Sequence, residues 1–160
     1  MKGHMRAGGN DVCVYNRNVE KAIAWAEEHG GRAAATPKEA ATGADFVFAC
    51  VGDDPDVRAV TTADDGAFAG MKSGAVFVDH TTASAELARE LHDAAKTRGQ
   101  ASLDGQVSGG LVWAENGAST VLCGGDHAPS EPAQHPLDCY AHTVARSGPR
   151  GGGQLPTVRA

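Results

Sequence analysis

Phe46 to Val60 reads FVFACVGDDPDVRAV, and Ala75 to Ser84 reads AVFVDHTTAS. Each stretch opens with an unbroken apolar run, Phe46 to Val51 in the first and Ala75 up to Asp79 in the second. Runs of this kind, rich in Val and Phe and free of alternation, fit strands buried on both faces of a parallel sheet. Each run ends in turn-prone polar residues and passes into a helix-forming segment. Asp56 to Thr62 is the expected helix after the first run. Ser84 caps the clearest helix of the chain after the second, with Glu86 at its positive end, Leu87, Leu91 and Ala94 on one face, and Gly99 as its stop. Strand, crossover helix and strand in this order predict βαβ units and an α/β fold with a doubly wound parallel sheet.

The same alternation extends on both sides. Asp11 to Tyr15 is a short β-rich run. Asn18 caps a helix over Val19 to His29, in which Ala22, Ile23 and Ala26 share a face, and Gly30-Gly31 ends it. A short strand at Arg32 to Ala34 follows, then a helix capped by Thr36 with Pro37 at its first position. Phe68 to Met71 reads as a single turn. Ala101 to Asp104 and Ser119 to Cys123 are two further strands. Beyond Gly124 the texture changes: His127 to Pro136 is polar and proline-rich, and Gly148 to Gly153 reads as a loop.

A chain of 160 residues is the size of one domain and can bury roughly 70% of its unfolded surface. Fourteen Lys and Arg against twenty Asp and Glu leave a net charge of -6, which repels phosphate backbones and anionic lipid. No nucleic-acid or membrane-surface role is expected, and no apolar run approaches the roughly 20 residues of a membrane span. The start, MKGHMRAGGNDV, carries no apolar signal segment. Cys13, Cys50, Cys123 and Cys139 form no CxxC, which fits reduced thiols and a cytoplasmic location.

In open parallel sheets, ligands bind beyond the carboxyl ends of the strands. After the first run stand Asn16 and Arg17, where an acidic residue would hold an adenosine ribose hydroxyl. An Arg there suits a 2′-phosphate and so NADP over NAD, against the simpler reading of a solvated turn residue. Asp53, Asp54 and Asp56 read as a helix-capping loop, with no metal expected. Thr81 and Thr82 put hydroxyls at the next strand end. Asp104 to Gly110 (DGQVSGG) offers backbone N–H groups beside the Ser108 hydroxyl, a suitable carboxylate cradle. Gln106 to Gly110 also approximates the hydrolase elbow GxSxG, with Asp126 and His127 as the only candidate partners in the right order. His135, Cys139 and His142, near His127, have a loose ligand-like spacing that falls short of a zinc pattern.

Taken together, VYNRNVEKA (Val14 to Ala22), FACVGDDPDVRAV (Phe48 to Val60), GAFAGMKSGAVFVDHTTAS (Gly66 to Ser84), DGQVSGG followed by AENG (Ala114 to Gly117), and GPRGGGQL (Gly148 to Leu155) resemble the β-hydroxyacid dehydrogenase family. That family includes 3-hydroxyisobutyrate dehydrogenases, tartronate semialdehyde reductases and, more distantly, 6-phosphogluconate dehydrogenase. The resemblance implies a Rossmann-like NAD(P)-binding domain, a following helical domain, and hydride transfer between NADP, or NAD, and a small β-hydroxyacid or its semialdehyde. By register it implies that Asn16, Arg17, Val51, Gly52, Asp56 and Thr82 bind the cofactor, and that Ser108, Gly109 and Gly110 hold the substrate.

The chain departs from the family in several places. A first strand and its GxGxxG turn have no counterpart, since Met1 to Met5 aligns inside the helix after that turn. The helical domain has none either. The family's catalytic Lys falls at Thr157, and Gln106 replaces a Pro. The resemblance therefore divides the chain into an incomplete NAD(P)-binding domain, residues 1–147, and a Gly-rich segment, residues 148–160. It leads us to expect a fragment that is inactive alone. The alternatives are a non-catalytic remnant that pairs with itself or with a full-length relative, and a serine hydrolase acting through Ser108.

Overall fold

Val76, Phe77, Val78 and Asp79 form a strand in which every residue is at most 4% exposed. The computed structural model describes residues 1–125 and 136–154. In chain order the helices are α1 (Lys2–Ala7), α2 (Val19–His29), α3 (Pro37–Ala41), α4 (Asp54–Thr61), α5 (Ala67–Gly70), α6 (Ala85–Thr97) and α7 (Gly110–Glu115). The strands are β1 (Cys13–Val14), β2 (Arg32–Ala33), β3 (Phe46–Ala49), β4 (Val76–Asp79), β5 (Ala101–Ser108), β6 (Ser119–Gly124) and β7 (Ala141–Gly148).

Strand β4 shows why the apolar runs do not alternate. Phe77 points into one core with Val57, Phe68, Leu87 and Leu91, which lie on α4, α5 and α6. Val76 and Val78 point into the other, with Met5, Leu103, Val121, Leu137 and Tyr140. Both faces are covered, as in a doubly wound α/β sheet. Phe68 and Phe77 meet edge to face with centroids 5.2 Å apart.

The caps read from sequence are in place. Asn18 accepts from Glu20 N–H, Thr36 from Glu39 N–H and Ser84 from Leu87 N–H. Gly30 closes α2 in the left-handed conformation, with φ 70°. Asp53 caps α4 by accepting from Asp56 N–H. Asp54 then ties α4 to the start of α6, accepting from both the backbone N–H and the hydroxyl of Ser84.

Two features of the sheet depart from the reading of a single parallel array. The main sheet has the order β3-β4-β5-β6-β7, and β6 runs antiparallel to β5 while the other pairs are parallel. Strands β1 and β2 form a separate parallel pair. Neither β1 nor β3 has a second hydrogen-bonded strand neighbour among the described residues. Three boundaries also move. Strand β5 runs on to Ser108, β7 was not foreseen, and Gly148 is its last residue. Past Gly148 the Gly-rich segment is a run of turns, as its glycines suggest, and Gly151 to Gln154 are buried.

Candidate functional site

The candidate residues lie where β1, β3, β4 and β5 end. Beyond β1, Asn16 Oδ1 accepts from Asn18 N–H at 2.9 Å and so shapes the turn into α2. Arg17 follows on this turn. Its Nη1 pairs with Asp56 Oδ1 of α4 at 2.9 Å, while 75% of its side chain is exposed. Most of its guanidinium fork therefore faces solvent, as recognition of an incoming anion requires.

Beyond β3, Val51 N–H donates to Thr81 Oγ1 at 3.0 Å. Gly52 is a close-approach position: a Cβ there would stand 2.4 Å from Asp56 Oδ2. The sequence thus brings Arg17, Gly52 and Asp56 together through the turn after β1 and the start of α4. Beyond β4, Thr81 is buried and Thr82 exposed. At the end of β5, its last residue Ser108 and the following Gly109 are exposed, and Gly109 has φ 124°, a conformation only glycine adopts without strain. A Cβ there would also meet Trp113 at 2.9 Å. These residues form the passage from β5 into α7, with Gly110 as the first residue of that helix.

Buried polar groups support these loops from below. Asp79 Oδ1 accepts from Thr81 N–H at 2.9 Å. Burial pushes its carboxyl up to about 6, helped by Asp104 across the β4–β5 ladder, while the Thr81 bonds pull the other way. Asp104 is also raised by burial, opposed by bonds from the Gly-rich segment: it accepts from Gly151 N–H at 2.8 Å and Gly153 N–H at 2.7 Å. His80 is almost fully enclosed, and burial lowers it to about 4, so its ring is neutral near pH 7. The ring bonds the Gly105 carbonyl through Nδ1 and the Tyr140 hydroxyl through Nε2. It stacks on Phe48 with centroids 5.9 Å apart.

The NAD(P) fit can be judged from these groups. The Arg17 fork suits an adenosine-ribose phosphate, the side-chain-free Gly52 suits close approach of a ligand to the backbone, and the exposed Thr82 hydroxyl stands at the neighbouring strand end. The group therefore fits at these three strand ends.

Ser108 stands at a strand–glycine–helix turn, but His80 is committed to Gly105 and Tyr140, and Asp126 and His127 lie outside the described residues. His127 and His135 of the loose ligand-like set, and Thr157, also lie outside them. Cys139 Sγ takes a bond from Asn10 Nδ2 at 3.5 Å, and His142 is exposed on β7. All four cysteines are free thiols. No described helix is long and apolar enough to cross a membrane. Sequence reasoning missed Gln154, which is buried against the loop after β4 and had no local signal beyond the glycines before it.

A doubly wound α/β sheet with its candidate residues at the strand ends defines a dinucleotide-binding domain of the Rossmann type. A family model described as the NAD binding domain of 6-phosphogluconate dehydrogenase matches residues 1–148, and the chain belongs to that family. An uncharacterized oxidoreductase of Shewanella frigidimarina is 48% identical over 155 residues, covering 97% of this chain and 53% of that protein. The NAD-dependent L-serine dehydrogenase of Pseudomonas aeruginosa is 32% identical over 140 residues, covering 88% of this chain and 47% of that protein. Among solved structures, Mycobacterium tuberculosis 3-hydroxyisobutyrate dehydrogenase with L-serine superposes with a TM-score of 0.91 at 28% identity. That match covers 99% of this chain and 53% of the other. The chain thus spans about half the length of the relatives it matches.

Proposed function

We propose that residues 1–147 are the cofactor-binding part of an NADP-preferring β-hydroxyacid dehydrogenase of the 3-hydroxyisobutyrate type. The Gly-rich segment that follows leads toward the part that completes the active site. The observation that carries this reading is the Arg17 fork, exposed beyond β1 and paired with Asp56, which itself lies against Gly52 beyond β3. A 2′-phosphate is the ligand group whose charge and geometry match such a fork. When bound, the nicotinamide accepts or gives the hydride. The chain's own residues bind and orient. Arg17 holds the phosphate, with Asn16 shaping its turn. The Val51–Gly52 loop and Thr82 seat the other end of the cofactor. Ser108 and the backbone at Gly109 and Gly110 hold the carboxylate of a small β-hydroxyacid. The resemblance places the proton-moving Lys of the family at Thr157, which supplies no such base, so residues 1–147 are proposed to bind cofactor and position substrate.

Calorimetric titration with NADPH and then NADH tests the reading. Micromolar binding with NADPH preferred supports it, and no binding of either nucleotide overturns it. A second reading, a non-catalytic domain that associates with another chain, is favoured by the open edges of β1 and β3. Size-exclusion chromatography with and without a full-length relative separates the two.

A further inference from the structure

The Gly-rich segment carries the least explained contacts of the fold. Gln154 at its end is 2% exposed, an unusual burial for a polar side chain outside the main sheet. Both ends of its amide are used. Oε1 accepts from Ala83 N–H at 3.1 Å, and Nε2 donates to the Thr81 carbonyl at 2.8 Å. The two bonds bracket Thr82. Thr81 in turn receives Val51 N–H on its hydroxyl at 3.0 Å. One side chain therefore fixes the loop after β4 directly and the loop after β3 at one remove.

The segment before Gln154 is itself held tightly. Asp104 receives the N–H groups of Gly151 and Gly153. A Cβ on Gly153 would stand 2.4 Å from the Asp104 carbonyl oxygen and 2.6 Å from that of Leu122. The glycines let the backbone lie against β5 and β6, and this delivers Gln154 to the end of β4.

We propose that Gln154 is a positioning residue for the cofactor seat: it holds Thr82 and Val51 in the conformation that receives the dinucleotide, without touching the cofactor. This rests on the assignment of Thr82 and the Val51–Gly52 loop to cofactor binding. The clamp serves the part of the cofactor common to both nucleotides, so losing it weakens NADPH and NADH alike. Loss of Arg17 would instead weaken NADPH selectively.

The test compares the whole chain with its Gln154→Met and Gln154→Glu variants. Met keeps the length and removes both hydrogen bonds. Two measurements are made well below the melting temperature: calorimetric affinity for each nucleotide, and hydrogen exchange at the Val51 and Ala83 amides. Gln154→Met is expected to weaken both nucleotides about tenfold with their ratio kept, and to speed exchange at both amides by a similar factor. Gln154→Glu is expected to weaken both nucleotides at pH 8, where its carboxylate still accepts from Ala83 N–H but faces the Thr81 carbonyl with no donor. Acidification toward pH 5 restores a donor on the protonated acid, and affinity recovers. Asp104→Asn, which loosens the glycines and leaves the residues beside Thr82 intact, gives a weaker effect of the same kind. A wild-type chain that binds nucleotide, with Gln154→Met matching it in affinity and exchange, overturns the inference alone. A lower melting temperature with unchanged affinity also overturns it, since that marks a merely structural role. A wild-type chain that binds neither nucleotide overturns the cofactor reading and this inference together.

Discussion

Adjacent residues at the end of β4 set opposite pH dependences of stability, and single substitutions should expose them. Asp79 rises from an ordinary 3.8 to about 6 on folding. The folded state therefore binds its proton more tightly, and Asp79 contributes stability that is fully present below about pH 4 and lost as the pH rises through 6. His80 falls from 6.5 to about 4 because burial disfavours the imidazolium. Here the unfolded chain binds the proton more tightly, so stability is full above about pH 6.5 and lost as the pH falls toward 4. Between pH 7 and pH 5 the first effect adds about 1 kcal/mol and the second removes about 2 kcal/mol. The wild-type change over that interval should be a loss of about 1 kcal/mol or less from this pair. Asp79→Asn leaves only the histidine effect, so stability should drop about 2 kcal/mol from pH 7 to pH 5. Asn keeps an acceptor for Thr81 N–H, so the fold is retained. His80→Gln should reverse the trend, with a gain of about 1 kcal/mol on acidification. Urea unfolding at 25 °C, at both pH values and for all three proteins, gives the numbers. Asp104, also raised by burial, acts in the Asp79 direction in every variant, and Asp79→Asn only reduces that contribution by removing the neighbouring charge across the ladder. If Asp79→Asn shows the wild-type pH dependence, the Asp79 carboxyl is not raised by its burial, and the reasoning fails.

Arg17→Ala should weaken NADPH by about ten- to a hundredfold and leave NADH within about twofold, because only the 2′-phosphate loses a charged hydrogen bond; equal losses for both nucleotides would remove the 2′-phosphate assignment. Asp56→Asn should weaken NADPH and NADH alike, because the resemblance puts Asp56 in the cofactor seat; NADPH tightened severalfold would instead show that its exposed 2.9 Å pair with Arg17, worth about 1 kcal/mol at most, only competes for the 2′-phosphate. Gly153→Ala should cost about 2–4 kcal/mol in urea melts, because its methyl group would collide with the Asp104 and Leu122 carbonyls; a cost near zero would show that the segment does not pack against β5 and β6.

The sequence showed most clearly those features that depend on neighbours close along the chain. The β4 run was readable because a strand covered on both faces needs apolar residues at every position, and Val76, Phe77 and Val78 satisfy that locally. Ser84, Asn18 and Gly30 were readable because caps are matched within three or four residues. Strand direction is different. Nothing in Ser119–Gly124 encodes that β6 turns back along β5, because that follows from how α7 returns the chain to the sheet. Strand β7 escaped notice because only its first residue, Ala141, is buried, so no apolar pattern marks it. The Gly-rich run was readable as a loop, and residues 149–154 are turns, but its burial was not: the small residues let peptide N–H groups reach the Asp104 carboxylate, far away in sequence. The site divides in the same way. Single strand ends could be read one at a time, so Arg17 and the Thr81 and Thr82 hydroxyls stood out, while Gly52 came from the family resemblance. Their support could not, because Arg17 meets Asp56 across 39 residues and Gln154 meets Ala83 across 71. Residues chosen for what they touch in space carry no signature in their own neighbourhood, so the positioning residues of such a site emerge only from the folded chain.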